Sequence, residues 1–260
     1  MVITTECGEA KAYEVDLAIK HLSDVNNEED LLLFDRNYAT YEFMATLLDR
    51  KINFVIRCPV KYTIAAEMQA GTGSDSRVVE IKHKKKTLRV RFVRVLLSTG
   101  EYEILVTSLL DEKRYPAEIF KEIYGLRWGV ETYYGLLKTR LELENFTGKT
   151  VESVLQDLYS TIYLTNLETI LTLEVAENLG EKETSKNPQK VNRSVSFHAI
   201  KMEALNILFS DMEIEKVLSK LRALFLTNPT LDKKKPSTER KKKTAQVLLH
   251  YHRRQRKHGF

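Results

Sequence analysis

The stretch Ile123–Lys138, IYGLRWGVETYYGLLK, decides how the rest of the chain is read. Tyr124, Arg127, Glu131 and Lys138 stand at offsets of three, seven and fourteen from the first of them. On an α-helix turning about 100° per residue they fall at roughly 0°, −60°, −20° and −40°, inside one arc of about 60°. Ile123, Leu126, Val130, Tyr134, Leu137 and Leu141 fall in a neighbouring arc centred near about −120°. The spacing predicts a helix that buries one side and carries a phenol, a guanidinium, a carboxylate and an ammonium along the edge of it. Gly135 falls on the polar face, where a missing side chain leaves room to approach Glu131. Taken alone, Arg127 and Glu131 are an i,i+4 pair, ordinary decoration of a solvated helix worth about a few tenths of a kcal/mol.

Upstream, Leu31-Leu32-Leu33-Phe34 is a short apolar run that reads as a buried strand. It ends in Asp35-Arg36-Asn37-Tyr38. A carboxylate at the end of a buried strand, before a turn and a helix, is a common way to present a metal ligand. An ordinary turn aspartate is the other reading of the same residue.

The order Y-(2)-R-(3)-E-(6)-K at Tyr124, Arg127, Glu131 and Lys138, with Trp128 after the arginine, resembles the helix carrying the third carboxylate of DDE transposases of the IS-four family of bacterial insertion sequences. Asp35-Arg36-Asn37-Tyr38 is similar to that family's D-R-G-Y motif, which holds the second carboxylate. Asn37 replaces the glycine, and asparagine also tolerates left-handed backbone. The resemblance implies metal-dependent phosphoryl transfer on DNA. Asp35 and Glu131 would be the catalytic metal ligands, for Mg²⁺ or Mn²⁺. In a complete enzyme two such ions sit about 3.5–4 Å apart and serve the attacking and leaving oxygens. Arg127 and Lys138 would hold phosphates of the transposon end, and Tyr124 would hydrogen-bond a phosphate near the cut. The implied partner is DNA at the terminal repeats, and a homodimer in a synaptic complex.

The resemblance also implies a fold. Glu14–Val25 reads as an amphipathic helix, Tyr41–Lys51 as a second helix and Ile52–Arg57 as a second strand. Val2–Thr5 reads as a short β-like run. This order is an α/β pattern, similar to part of an RNase H-like core. Residues 58–115 read as a β-rich insertion, with strands at Arg77–Ile81, Thr87–Leu97 and Tyr102–Thr107. Arg89 and Arg91 alternate with Leu88, Val90 and Phe92, as in a two-faced strand. Lys84, Lys85 and Lys86 would form a basic hairpin tip against a phosphate backbone, or a solvated turn. Residues 116–228 carry the key helix, which Pro116 opens, and a helical remainder packing on the sheet. Tyr159, Tyr163 and Phe146 read as core. The fold class expected is therefore α/β: a partial RNase H-like core (1–57), the insertion, the helical part, and a flexible basic tail (229–260).

In the family the first carboxylate lies several tens of residues before the second, on an earlier strand. Only 34 residues precede Asp35, and their acids, Glu14 and Asp16 among them, suit that role poorly. The expectation is a fragment lacking the first catalytic Asp and inactive alone. The alternative is a non-catalytic DNA-binding remnant or regulator of a full-length transposase.

The totals fit a cytoplasmic globular protein. The chain has 260 residues, 43% hydrophobic and 30% charged, and a net charge of +5. Residues 232–260 hold eleven Lys/Arg, Arg253 and Arg254 among them, against Asp232 and Glu239. The rest of the chain holds 30 basic and 34 acidic residues, so the basic balance belongs to the tail, which reads as a polyanion-binding segment. Two cysteines give no disulfide framework, and no apolar run approaches a membrane span or a leader peptide. There is no zinc spacing, glycine-rich phosphate loop or internal repeat.

Overall fold

The computed structural model describes residues 1–5, 12–25, 29–59, 62–70, 74–83, 86–97, 99–139, 141–143, 145–180, 188–209 and 213–231. Two compact units divide the chain: Thr4–Leu136, and Met1–Ile3 with Leu137–Phe260.

The first unit begins with α1 (Glu14–His21), which runs into a 3-10 turn over Leu22–Asp24. Strand β1 (Leu31–Phe34) follows, then a 3-10 turn over Arg36–Tyr38 and helix α2 (Tyr41–Asp49). Thr40 caps α2 by accepting from the Phe43 amide at 3.2 Å. Then come β2 (Asn53–Arg57), α3 (Thr63–Gln69), β3 (Ser76–His83), β4 (Lys86–Leu96) and β5 (Tyr102–Thr107). The five strands form one mixed sheet in the order β1-β2-β5-β4-β3. Only β1 and β2 are parallel, with Phe34 opposite Ile56. The strands of residues 76–107, read from the sequence as part of an insertion, thus continue the sheet of β1 and β2. No strand forms at Val2–Thr5.

Side-chain alternation on these strands builds two cores. Leu32, Phe34, Phe54, Ile56, Val90, Phe92, Ile104 and Val106 pack with Phe43, Met44 and Leu47 of α2 and Ala65 of α3. Leu31, Leu33, Val55, Val93, Val95 and Leu105 face the other way and pack with Phe120 and Tyr124 of α4 (Ile119–Gly125). Helices therefore cover both faces. The sequence pattern placed Arg91 on an outer face with Arg89, but Arg91 is 1% exposed. Its strand position is on the side of Val93 and Val95, and α4 roofs that side.

After α5 (Trp128–Thr139), the second unit holds α6 (Val151–Gly180), α7 (Arg193–Phe209) and α8 (Ile214–Thr227). A short ladder pairs β6 (Gln189–Lys190) with β7 (Thr230–Leu231). These helices were expected to complete the sheet's core. Instead Val175, Leu179, Ile200, Val217, Leu221 and Phe225 make a core of their own. Tyr159 and Tyr163 are exposed, not core. The buried face of α6 runs Thr161, Thr165, Glu168, Thr172, Val175, Leu179. The threonines escape an apolar reading because each returns its hydroxyl to its own helix, as Thr172 does to Glu168 O at 2.8 Å. Ser196 donates to Glu168 Oε1 at 2.6 Å.

Separate cores predict separable stability. Phe225→Ala should cost the helical unit about 3–5 kcal/mol. Hydrogen exchange should accelerate across α6–α8 and stay near wild-type rates in β2. Equal acceleration in both would show one cooperative core.

Candidate functional site

Asp35 leaves the end of β1 and caps the turn that follows, its Oδ1 accepting from the Asn37 amide at 2.7 Å. Asn37 lies inside a right-handed 3-10 turn and not in the left-handed region, where among the described residues only Lys51, Glu142 and Gly100 stand. The backbone here makes no demand for glycine, which is why asparagine serves. Phe34 packs edge-on against Phe43 at 4.9 Å and beside Tyr38 at 5.0 Å, so the turn is pinned from below by aromatic rings. Glu14 of α1 stands beside the Tyr38 phenol. Burial first, then Glu14, Asp35 and Tyr134, push the Tyr38 phenol well above its ordinary range.

The stretch expected as one helix is two. Helix α4 ends at Gly125, Leu126 and Arg127 form a turn, and α5 starts at Trp128. The amides of Leu126, Arg127, Gly129 and Val130 donate three residues back, to Ile123, Tyr124, Leu126 and Arg127. Gly125 and Gly129 flank this turn, and glycine is a weak helix former. Three-residue bonding turns the chain about 120° per residue, so positions three apart eclipse. That places the Arg127 guanidinium 5.7 Å from the centre of the Tyr124 ring. It also turns the expected apolar side outward: Leu126 is 72% exposed, and Trp128, Val130 and Tyr134 are exposed with it, while Leu137 alone of that set is fully buried.

Tyr124 is buried, and its hydroxyl donates to Phe34 O at 3.1 Å. The phenol expected on a phosphate is thus engaged with the backbone carbonyl next to Asp35. Burial, with smaller contributions from the surrounding charges, pushes its pKa up to about 12. Arg127 is largely buried and its Nη2 donates to Glu131 Oε1 at 2.9 Å. The guanidinium lies over the Trp128 ring at 4.8 Å. Burial opposes its charge, but the Glu131 hydrogen bond, then Tyr124, Glu131 and Asp35, outweigh that, and the pKa rises. Its Nε is buried without a hydrogen-bond partner among the described residues. Glu131 bonds Arg127 directly, and Asp35 adds the smallest of the through-space contributions to the guanidinium.

Lys138 is exposed on α5, about 10 Å further along the axis from Glu131 at 1.5 Å per residue. A Cβ at Gly135 would meet nothing within 4 Å, so this surface is open with or without glycine there. Lys84, Lys85, Arg253 and Arg254 lie outside the described residues, as does the side chain of Lys86. Sequence reasoning missed the approach of Glu14 to Tyr38, whose signal was a glutamate in the first turn of a helix.

Carboxylate oxygens suit a hard divalent ion such as Mg²⁺ in kind. They do not suit it in number. Among the described residues no group of three His, Cys, Asp or Glu is placed to hold a metal. Glu131 is moreover engaged by Arg127. No step through a metal is derived from this arrangement.

Residues 1–167 match the family described as "Transposase DDE domain". No curated protein matches the chain. No helix among the described residues is long and apolar enough to cross a membrane.

The Tyr124–Phe34 bond has a pH signature. The folded pKa of Tyr124, about 12, stands above the ordinary value of about 10. The neutral phenol therefore stabilises the fold fully below about pH 10, and that contribution is lost as pH rises toward about 12. Urea unfolding between pH 9 and 12 should show Tyr124→Phe losing less stability with rising pH than wild type. At neutral pH the variant should be less stable by about 0.5–1.5 kcal/mol. Parallel pH slopes would contradict this.

Proposed function

The chain belongs to the Transposase DDE domain family, and from that premise we propose that it acts on the DNA ends of a bacterial insertion sequence of the IS-four type. The single observation that carries the reading is the Tyr124 hydroxyl bonded to Phe34 O, beside Asp35, on the same arm that carries the Arg127–Glu131 pair. In this reading the sheet is an RNase H-like core. Asp35 and Glu131 are the acids it contributes for Mg²⁺ or Mn²⁺, and Arg127 and Lys138 hold phosphates.

Tyr124 takes a different part from the one its motif suggests. Its hydroxyl holds the arm that carries Arg127 against the end of β1. Arg127 is preset for an anion: its guanidinium is stacked on Trp128, and its Nη2 faces the exposed Glu131 carboxylate, a place a phosphate oxygen can take. Lys138, as a point charge further along α5, addresses a different phosphate of the same strand. Lys84, Lys85, Lys86, Arg253 and Arg254 supply further backbone contacts, and a homodimer brings two ends together. All this takes place in the cytoplasm.

Two acids, one of them a glutamate bound to arginine, favour weak chemistry. We read the chain on its own as a DNA binder that cuts poorly. The second reading, a non-catalytic regulator of a complete transposase, draws on the same observation.

Binding and cutting separate these readings. On DNA carrying the terminal repeats, affinity should fall steeply with salt. Lys138→Ala should weaken binding across sequences and lower the salt slope by about one. Little Mg²⁺- or Mn²⁺-dependent nicking is expected. Robust nicking abolished by Asp35→Ala would show that this chain is a competent enzyme. Absence of DNA binding would refute both readings.

A further inference from the structure

Arg91 is a buried cation with no buried acid to match it. Its Nε donates to Ser76 Oγ at 2.7 Å and its Nη1 to Tyr115 O at 2.6 Å, with Leu109 O at 3.4 Å. The guanidinium lies 5.3 Å from the centre of the Phe120 ring. Glu112, half exposed, approaches Nε at 3.8 Å and accepts from Ser76 Oγ at 2.6 Å. Taking a guanidinium out of water is unfavourable, and an apolar side chain of the same size often gives equal or better stability. Plain packing on β4 would be met by valine, which stands at the neighbouring same-face positions 93 and 95. The arginine adds directed bonds to two carbonyls of one connection.

That connection leads to the site. Residues 108–118 join β5 to α4, and they contain no regular element. Arg91 holds two carbonyls of this segment, those of Leu109 and Tyr115, and its planar group supports Phe120 in the first turn of α4. Tyr124 follows one turn later, and Arg127 and Glu131 after it. The guanidinium adds to the two carbonyl bonds of Nη1 a third bond from a separate nitrogen, Nε to Ser76 Oγ, which the single nitrogen of a lysine cannot reproduce in the same geometry.

We infer that Arg91 is a positioning residue: it sets where α4 begins on the sheet, and so where Arg127 and Glu131 stand relative to Asp35. The inference rests on the reading of those three residues as the functional group, but its test does not.

Arg91→Met keeps an unbranched apolar stem and removes every donor. The variant should fold with wild-type circular dichroism. In hydrogen exchange its α4 amides should open at least fivefold faster than wild type, while those of β2 stay within twofold. Trp128, the one tryptophan, should change its emission as the Arg127 guanidinium shifts over it. Arg91→Lys should fall between. If Arg91→Met does not fold, Ser76→Ala, which removes the acceptor of Nε and the hydroxyl's own bond to Glu112, must give the same local pattern at about twofold. Exchange that rises equally in α4 and β2, or in neither, would overturn the inference. Loss of the DNA reading would leave this comparison standing, so the two failures can be told apart.

Discussion

One hydrogen bond joins the two halves of the candidate site: the Tyr124 hydroxyl on the carbonyl of Phe34. The acid at residue 35 belongs to a strand end and the acid at 131 to a helix nearly a hundred residues later. Nothing local brings them together. The sheet brings α4 against β1 by placing β1 at one edge with β2 beside it, and by letting α4 cross the face that carries Leu31 and Leu33. Tyr124 completes the approach because a buried phenol needs an acceptor, and a strand-end carbonyl has one to offer.

The same economy explains the cations. Arg127 is held by stacking and by Glu131, whereas Arg91 is held by backbone carbonyls. Both lie in the unit Thr4–Leu136, but the Arg91 side chain is 1% exposed and that of Arg127 11%, bonded to Glu131 at 2.9 Å where Glu112 stands 3.8 Å from Arg91. A buried arginine bound to carbonyls is a strut. A largely buried arginine bound to an exposed carboxylate can exchange that partner for another anion.

Much of this was legible in the residues. The run at Leu31–Phe34, the strand at Tyr102–Thr107 and the helix from Ile214 follow from apolar period and turn residues. The motif spacings pointed to the family whose domain matches residues 1–167. What stayed hidden depended on long-range contacts. Burial of Arg91 needs α4 as a roof, which β4's alternation does not reveal. The turn at Leu126–Arg127 overrode a regular 100° reading because two glycines loosen the helix there. The threonine face of α6 looked polar because its hydroxyls are satisfied within the helix. The basic segments at 84–86 and 253–254 were legible as charge alone.

The central claim is that Asp35 and Glu131 answer to one guanidinium. A double-mutant cycle on unfolding free energy tests it, using Asp35→Asn, Glu131→Gln and the pair. If Arg127 is shared, either acid partly compensates for loss of the other, and the double variant should be less stable than the summed singles by at least about 0.5 kcal/mol. Additive effects would mean that the two carboxylates occupy independent surroundings, and the site as described would not exist.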